Sequence, residues 1–316
     1  MQASRGFTRV GLCALTVVTF LILGSPHLIA NSVEGAGYKL SSFNVLGADL
    51  TVLQGINDRG RVVGVYLKAG AMHGFTSTTK GKSVVTIDFP GSTTTQANGI
   101  NNHGNVVGMY ILPGLPITQH GYLYDDGHFT SIDVPGATST QAIAINDAGD
   151  IVGAYIPAGA AGQWQGFLLS KGAFTTISFP TGDFTVAQGI NETGEITGIY
   201  VKNFVCECGF TYKDGVFASF EVASNHLTLN LNINDRGVLV GSAIYPDNRV
   251  SGFVGQHGKF TRIDFPTAFA TQVNAINNRG VVVGAWGGCS NADQNCALVA
   301  TPKNSEDQDS DDADKN

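Results

Sequence analysis

Charged residues are scarce in this chain, and basic residues are scarcer than acidic ones. Charged side chains make up 14% of the 316 residues, with 18 Lys and Arg against 25 Asp and Glu, so the formal net charge is −7. A protein that binds a phosphate backbone needs clustered Lys and Arg. The composition therefore predicts no nucleic-acid partner. The 41 Gly residues favour many short strands joined by glycine turns rather than long helices.

Long hydrophobic runs are missing after the first 30 residues. Residues 1–30 have the pattern of a cleavable signal peptide. Arg5 and Arg9 give a positively charged start, residues 10–24 are apolar, and Ala30 is a small residue suited to cleavage. An uncleaved membrane anchor is the alternative, but the run is shorter than the ~20 residues that span a bilayer. We therefore expect an exported protein, extracellular or periplasmic, with no membrane span after cleavage.

The two ends of the chain leave one large segment between them. Residues 303–316 contain six acidic residues, two Lys and nothing apolar larger than Ala, which predicts a disordered acidic tail. Removing this tail and the signal peptide leaves a net charge of −5 on the body. We expect a short linker at residues 31–36 and a single domain at residues 37–302.

Motifs for common catalytic sites are also missing. No G-x-S-x-G, H-E-x-x-H or phosphate-binding loop occurs in the sequence. His73 and His120 each precede a Gly-aromatic pair, but we expect no carboxylate beside them and no shared metal ion. Asp88, Asp133 and Asp264 are predicted to be solvated outer positions. The sequence thus predicts no catalytic residues, no metal site and no cofactor, although an enzyme is not excluded.

Cysteine is rare, with five residues, one of them in the predicted signal peptide. Four cysteines remain. An even number of cysteines in an exported chain suggests disulfide bonds. We pair Cys289 with Cys296, because the loop between them can bring its two ends together on neighbouring strands. Cys206 and Cys208 are separated by one residue, which allows either a tight bridge or two free thiols.

A repeat of about 44 residues fills the domain. The dipeptide Ile-Asn recurs with separations of 44, 45, 45, 43 and 43 residues, and each copy has a Thr five residues before the Ile and Gly residues four and eight after it. The six repeats start near residues 51, 95, 140, 185, 228 and 271. The Asn residues are Asn57, Asn101, Asn146, Asn191, Asn234 and Asn277.

Each repeat has the pattern of four short antiparallel strands. The Asn and the first Gly are typical of a type I turn between the first two strands. Small residues before the Ile, such as Gly55 and Ala144, contrast with aromatic residues on the third and fourth strands, such as Phe75 and Phe179. Sheets that converge on an axis need this taper. The fold class predicted is all-β: a six-bladed β-propeller of four-stranded antiparallel blades.

The first and last segments of the domain complement each other. The sixth repeat stops after its third strand, whereas residues 40–45, LSSFNV, match the fourth strand of the second repeat, FTSIDV. We therefore predict that the N-terminal strand completes the sixth blade and closes the ring. Closure of this kind removes unpaired strand edges.

The Ile-Asn-x-x-Gly core followed by x-x-x-Gly and a Gly-aromatic pair resembles the HAF-type repeats of probable extracellular bacterial proteins. The resemblance covers nearly all of residues 38–301. It implies a β-propeller architecture and brings no catalytic residues. Many proteins of this kind end in a short membrane-sorting helix, whereas this chain ends in the acidic segment.

Two sets of residues could form a binding site. The repeated Asn residues could ring one mouth of the channel, but we expect them to hold their turns by bonding to backbone NH groups. The loops that enter each blade and those between its second and third strands share one face, the upper face, and they differ most between repeats. Binding residues are expected there, unless these loops have simply diverged. The residues best suited to form a contact surface are Trp164, Phe204, Tyr245, Arg249 and Trp286.

We expect a non-catalytic binding or surface-interaction protein, monomeric, whose extracellular ligand or protein partner occupies the upper face. A propeller hydrolase or lyase acting on extracellular glycan or peptide is the first alternative, and a structural surface protein is the second. A deep pocket lined by carboxylates or His would favour the enzyme, and an aromatic-lined shallow face would favour binding.

Overall fold

The computed structural model describes residues 34–35, 37–160, 162–203, 206–222, 227–289 and 295–303. The predicted signal peptide, the acidic residues after residue 303 and Phe204 lie outside the described residues. Within them all regular structure is β-strand, and no helix is present. Accordingly, no described helix is long and apolar enough to cross a membrane.

The strands follow the sequence repeats. The chain begins with β1 (Glu34–Gly35) and β2 (Tyr38–Phe43). Repeat 1 contains β3 (Leu50–Ile56), β4 (Arg61–Lys68), β5 (Ala71–Thr78) and β6 (Val85–Ile87). Repeat 2 contains β7 (Thr94–Ile100), β8 (Val106–Ile111), β9 (Gln119–Asp125) and β10 (His128–Ile132). Repeat 3 contains β11 (Ala137–Ile145), β12 (Ile151–Pro157), β13 (Gln165–Ser170) and β14 (Ala173–Ile177).

The second half of the chain continues the pattern. Repeat 4 contains β15 (Phe184–Ile190), β16 (Ile196–Lys202), β17 (Cys206–Lys213) and β18 (Val216–Phe220). Repeat 5 contains β19 (Thr228–Ile233), β20 (Leu239–Ile244), β21 (Val250–Gln256) and β22 (Lys259–Ile263). Repeat 6 contains β23 (Ala270–Ile276), β24 (Val282–Gly287) and β25 (Asn295–Pro302).

Antiparallel pairing in chain order builds a sheet from each repeat. Repeats 3, 4 and 5 form separate four-stranded sheets. Repeats 1 and 2 are joined into one eight-stranded sheet by a single parallel bridge between Met72 and Thr94. The fifth sheet has the order β1-β2-β25-β24-β23. This all-β arrangement of repeated sheets is a β-propeller.

The N-terminal strand lies beside the last strand of the chain. β2 pairs with β25 in antiparallel register from Tyr38 opposite Pro302 to Phe43 opposite Ala297. Leu40 of β2 is fully buried in one core cluster with Leu298. The segment predicted as a linker adds the two-residue strand β1, which pairs with β2.

Close backbone approach explains the small residues near the axis. A Cβ atom added to Gly99 would lie 2.8 Å from the carbonyl oxygen of Ile143 on the next inner strand, which is closer than real Cβ contacts come. The second Gly of the repeat is equally constrained, because a Cβ atom at Gly108 would overlap the carbonyl oxygen of Gln96 on the neighbouring strand. The outer strands have more room and carry the large aromatic residues. Five of these are fully buried between sheets: Phe75, Tyr122, Phe167, Phe210 and Phe253.

Candidate functional site: the central channel

The repeated Asn side chain holds its own turn together. The Oδ1 atom of Asn57 accepts hydrogen bonds from the backbone NH groups of Arg59 and Arg61, at 3.1 and 3.0 Å. The turn is completed by a bond from the NH of Gly60 to the carbonyl oxygen of Asn57, and Gly60 has a φ of 76°. A φ of this sign is readily adopted by Gly, which explains why each repeat has Gly at this position.

The same Asn side chains also link one turn to the next. Each Nδ2 atom donates to the carbonyl oxygen of the Asn in the following repeat at 3.0–3.3 Å, and Asn277 donates to Asn57. The six bonds therefore run in a closed circle around the axis. The repeat pattern predicts the turn. It does not predict the link between turns, because that contact joins residues 43–45 positions apart in different repeats.

The repeated Thr residues order the loops at the opposite end of the inner strands. The hydroxyl of Thr95 accepts a hydrogen bond from the backbone NH of Phe89 at 3.0 Å, and Thr140 does the same for Val134 at 3.1 Å. Thr51, Thr185 and Thr271 make the equivalent bond to the residue six positions earlier. These hydroxyls therefore shape the loops that enter five of the six repeats.

Isoleucine side chains narrow the channel between two cavities. The Ile of each Ile-Asn pair is 5–8% exposed and lines both cavities. The larger one, which we call the chamber, has a volume of about 120 Å³ and lies on the side where the inner strands begin. The smaller one, of about 80 Å³, is the lower mouth. The six isoleucines form an apolar constriction between them.

Carboxamide side chains converge on the chamber. The lining contains Gln54, Asn98, Gln188, Asn230, Asn232 and Asn274 together with backbone and aliphatic groups, and no charged residue. Asn98 and Asn274 donate through Nδ2 to the carbonyl oxygens of Ala142 and Leu53, at 2.9 and 2.7 Å. Both residues are at least nine-tenths buried. The chamber is therefore polar, neutral and supplied with both donors and acceptors.

Two of these carboxamides are incompletely hydrogen-bonded. The Oδ1 atom of Asn98 and the Oε1 atom of Gln188 are buried without a hydrogen-bond partner in the protein. Burying a carboxamide oxygen without a partner costs free energy. The scaffold does not require a polar group here, because the equivalent positions of repeats 3 and 5 are the apolar residues Ile143 and Leu231.

A second ring of hydrogen bonds surrounds the lower mouth. The residue after each turn Asn offers a side-chain oxygen to the backbone NH of the same position in the preceding repeat, at 2.5–2.9 Å. The ring consists of Asp58, Asn102, Asp147, Glu192, Asp235 and Asn278. Asn102 donates through Nδ2 to the carboxylates of Asp58 and Asp147 on either side. Amides therefore separate some of the carboxylates from each other.

The pKa values of two ring carboxylates move in opposite directions. Burial tends to raise the pKa of Asp58, but hydrogen bonds from Asn278 and Asn102 outweigh it, and the pKa is lowered. Burial raises the pKa of Glu192, and the neighbouring carboxylates of Asp147 and Asp235 raise it further. Glu192 has a carboxylate on both sides, whereas Asp58 has an amide on both sides.

The two tryptophan residues that were predicted to contact a ligand on the upper face are buried. Trp164 is 5% exposed and Trp286 is 3% exposed. The ring of Trp286 stacks on Phe265 with a centroid separation of 3.9 Å, and its Nε1 donates to Ser42 at 2.9 Å. Little indole surface is left to contact a ligand on the upper face.

The repeat contained a signal for the role of Trp286. Four repeats have a Tyr ten residues after the Ile of the Ile-Asn pair, and its hydroxyl bonds to a Ser or Thr on the fourth strand: Tyr66 to Thr86, Tyr110 to Ser131, Tyr155 to Thr176 and Tyr200 to Ser219. Trp286 holds this position in repeat 6 and bonds to Ser42 of β2. It is a scaffold residue, and the N-terminal strand supplies its partner.

Repeat 5 departs from this arrangement. Ala243 occupies the Tyr position, and Arg262 occupies the Ser or Thr position opposite Phe253. The guanidinium of Arg262 lies 4.5 Å from the centre of the Tyr245 ring and pairs with Asp247 at 3.0 Å and Asp264 at 2.7 Å. Of the other predicted upper-face residues, Arg249 donates from Nη2 to the carbonyl oxygen of Ala268 at 2.7 Å. Tyr245 and Arg249 are only partly buried, so they remain candidates for contact.

The two histidines do have carboxylate neighbours, contrary to our expectation. Nδ1 of His73 lies 2.8 Å from Asp88, and Nδ1 of His120 lies 3.1 Å from Asp133. Asp88 and Asp133 directly follow the fourth strands β6 and β10, whose last residues pair with Gly74 and Gly121, so each His–Asp pair lies just beyond the end of its ladder. Asp88, Asp133 and Asp264 are therefore paired rather than simply solvated. No group of three His, Cys, Asp or Glu that could hold a metal ion occurs among the described residues.

The predicted disulfide bond between Cys289 and Cys296 is present. Its Cα atoms are 6.0 Å apart. Asn44, which follows β2, donates from Nδ2 to the Sγ atom of Cys296 at 3.0 Å. Cys208 is also disulfide-bonded, which excludes a free thiol at that position.

Sequence comparisons find no match, whereas structural comparisons find proteins of similar fold. No family model matches the chain, and no curated protein matches it significantly. A gluconolactonase from Xanthomonas campestris is 13% identical and has a TM-score of 0.53, with 84% of this chain and 90% of that chain covered. A variant of AofleA from Arthrobotrys oligospora is 11% identical with a TM-score of 0.51, covering 85% and 89%.

A third structure is longer than this chain. TolB from Acinetobacter baumannii is 10% identical with a TM-score of 0.49, over 80% of this chain and 55% of TolB. The chain thus spans about half the length of TolB. Likeness at such low identity concerns the fold, and the fold that this chain shares with known structures is the all-β propeller.

Proposed function

We propose that the chain is a six-bladed propeller closed by its N-terminal strand. Three observations support this architecture: the pairing of β2 with β25, the circle of Asn hydrogen bonds that returns from Asn277 to Asn57, and the bond from Trp286 to Ser42. Each of them joins the beginning of the domain to its end. We also propose that the chain is a member of the HAF-type repeat proteins, on the strength of its six Ile-Asn-x-x-Gly cores.

Export is the second part of the proposal. The disulfide bond between Cys289 and Cys296 supports it, because such bonds persist in oxidising compartments. The signal-like composition of residues 1–30 agrees with this location. The protein would therefore meet its ligand outside the cytoplasm.

We propose that the protein binds a small neutral polar ligand, such as a polyol or the hydroxyl-rich end of a sugar, in the chamber. The observation that carries this proposal is the convergence of six carboxamides on an uncharged cavity. The volume of about 120 Å³ is close to that of the ~150 Å³ cavity that accommodates a benzene molecule. Carboxamides both donate to and accept from hydroxyl groups, whereas an ionic ligand would find no counter-charge in this lining.

The unpartnered oxygens add a physical argument for a ligand. A rotation about the last side-chain torsion would turn the oxygen of Asn98 or Gln188 toward a hydroxyl group in the chamber. The hydrogen bond formed there would recover the free energy lost by burying the oxygen. Functional sites often retain such locally unfavourable groups at some cost in stability.

The lining of the chamber favours binding over catalysis. Hydrolysis or elimination requires a general acid or base within hydrogen-bond reach of the substrate. Neither a carboxylate nor a His lines the chamber. A purely structural protein would need no polar lining, since Ile143 and Leu231 fill the same position in two repeats.

The proposal is tested by replacing Gln188 with Met, which has a similar shape but no amide. We expect Gln188→Met to lower the affinity of the protein for the ligand by about tenfold or more, equivalent to about 1.4 kcal/mol of binding free energy. Without ligand the variant should be at least as stable as the wild type, because the unpartnered oxygen is gone. Neutral polyols and sugars, with uronic acids and amino sugars for comparison, are titrated calorimetrically.

Gln96→Met is the matched control. Gln96 also has a buried oxygen without a partner, but it lies outside the chamber lining. This variant should keep full affinity for the ligand. Equal affinities of both variants, or binding of charged ligands alone, would refute the chamber as the binding site.

A further inference from the structure

Charge is unevenly distributed on the lower face, the end of the propeller that carries the Asn turns. Two turns of repeat 1 carry exposed cations at this face. The two turns are neighbours, because Arg61 at the start of β4 lies opposite Thr78 at the end of β5. Together with a neighbouring residue of repeat 6 these cations form what we call the basic arc: Arg59, Arg61, Lys80, Lys82 and Arg279. The opposite side, in repeats 3 and 4, carries Asp147, Asp150, Glu192, Glu195 and Asp214.

The basic arc borders a cleft between repeats 1 and 2. This cleft has a volume of about 420 Å³, and its lining includes Arg59, Arg61, His103 and Tyr124. Asp125 and Asp126 line it as well. Among the described residues neither Arg59 nor Arg61 pairs with a carboxylate. Two exposed guanidinium groups are thus available to an anion.

The acidic end of the chain leaves the propeller at this face. β25 runs toward the Asn turns, because Ala300 lies opposite Val282 at the start of β24. Pro302 then lies against Gly280 of the turn in repeat 6, and the NH of Lys303 donates to the carbonyl oxygen of Gly37. Residues 304–316, which lie outside the described residues, therefore start beside the basic arc.

The charge and length of this segment fit the arc. Residues 304–316 contain six carboxylates and one Lys, a net charge of −5. Thirteen extended residues reach about 40 Å. Repeat 6, from which the segment leaves, is next to repeat 1, as the hydrogen bond from Asn277 to Asn57 shows. The acidic side of the face would repel the segment.

We propose that residues 304–316 bind in cis to the basic arc, with carboxylates at Arg59 and Arg61 beside the cleft. Tethering gives the segment an effective concentration of the order of millimolar, so that several weak ion pairs suffice to hold it. This inference is independent of the ligand proposed for the chamber.

The test uses the full chain with its acidic segment neutralised. The substitutions are Glu306→Gln, Asp307→Asn, Asp309→Asn, Asp311→Asn, Asp312→Asn and Asp314→Asn. A synthetic peptide with the sequence of residues 304–316 is titrated into this chain and into the wild type at low salt. We expect the peptide to bind the neutralised chain and to bind the wild type at least about fivefold more weakly, because the wild-type segment competes in cis.

The site on the propeller is tested in the neutralised chain. Arg59→Ala combined with Arg61→Ala should lower the affinity for the peptide by about fivefold or more, because two ion pairs are lost. Lys171→Ala with Lys213→Ala is the matched control, since it removes two charges from the same face in repeats 3 and 4, and it should change affinity less than twofold.

Three outcomes would overturn the proposal. Equal losses in the two double variants would mean unspecific attraction to the net charge. Equal peptide affinity of the wild type and the neutralised chain would exclude competition in cis. The third outcome concerns carbodiimide cross-links between the acidic segment and Lys80 or Lys82 in a mixture of isotopically distinct chains. Cross-links found only between different chains would place the contact in trans. Cross-links within one chain support the proposal.

Discussion

A single Asn side chain has two roles in each repeat, because it holds its own turn and links this turn to the next. In Asn101 the Oδ1 atom accepts from the NH groups of His103 and Asn105, while Nδ2 donates to the next repeat at 3.2 Å. The first role could be derived from the turn chemistry of the sequence. The second could not, because it depends on where another repeat lies in space. The same limit applies to Glu192, whose neighbours Asp147 and Asp235 are 45 and 43 residues away.

The lower ring predicts a stabilising substitution at Glu192. Its raised pKa means that the folded state favours the protonated carboxyl, so the contribution of this group to stability is complete below the ordinary Glu pKa of about 4.3. That contribution is lost as the pH rises through the higher pKa of the folded state. Glu192→Gln should therefore stabilise the protein at pH 7, by about 0.5 kcal/mol for this largely exposed site. An amide could also donate to the carboxylates on both sides, as Asn102 does.

Denaturant unfolding of the wild type and the variant between pH 3.5 and 7 measures this effect. The gain should be largest at neutral pH and should vanish at the acidic end. Glu195→Gln is the control, because Glu195 is in the same turn but outside the ring. A gain that does not depend on pH, or the same gain in the control, would contradict the electrostatic explanation.

At the scale of strands, the taper of side-chain size is the feature that the sequence revealed best. Small residues lie where inner strands approach each other, as at Gly99, and large ones fill the space between outer strands. Four of the chamber carboxamides share one repeat position, two residues before the Ile: Gln54, Asn98, Gln188 and Asn274. The sequence did not reveal the chamber, because Ile143 and Leu231 interrupt this set and only the folded structure turns its side chains toward one cavity. Trp286 directly precedes a variable loop, which favoured a contact role, but it fills the Tyr position of the repeat and is buried.

The disulfide bond should stabilise the last two strands without being required for the ring. Replacing Cys289 and Cys296 together with Ser should lower the free energy of unfolding by about 2 to 3 kcal/mol, as expected for a closed loop of about eight residues. The ring contacts of β2 lie elsewhere along β25, so the far-ultraviolet circular dichroism spectrum should remain that of a folded β protein. Thermal melting of the double variant checks both statements. Complete unfolding at room temperature would contradict them.

At the scale of the whole molecule, the pairing of the N-terminal strand and the distribution of charge have different origins in the sequence. The pairing of β2 with β25 could be predicted because residues 40–45 match the fourth-strand pattern of another repeat. The basic arc could not, because its cations come from two turns of repeat 1 and one of repeat 6, and only the ring arrangement makes these neighbours. Contacts that cross between repeats were therefore the main part that a single sequence did not reveal.

The central claim is that the chain forms one ring closed by β2, and backbone hydrogen exchange tests it most directly. Amides of β2 are measured in the intact protein against those of β12, which lies between two strands of repeat 3. A closed ring opens as a cooperative unit, so the hydrogen-bonded amides of β2 should exchange nearly as slowly as those of β12. Exchange of β2 at the rate of an unstructured peptide, with β12 still protected, would contradict the closed ring.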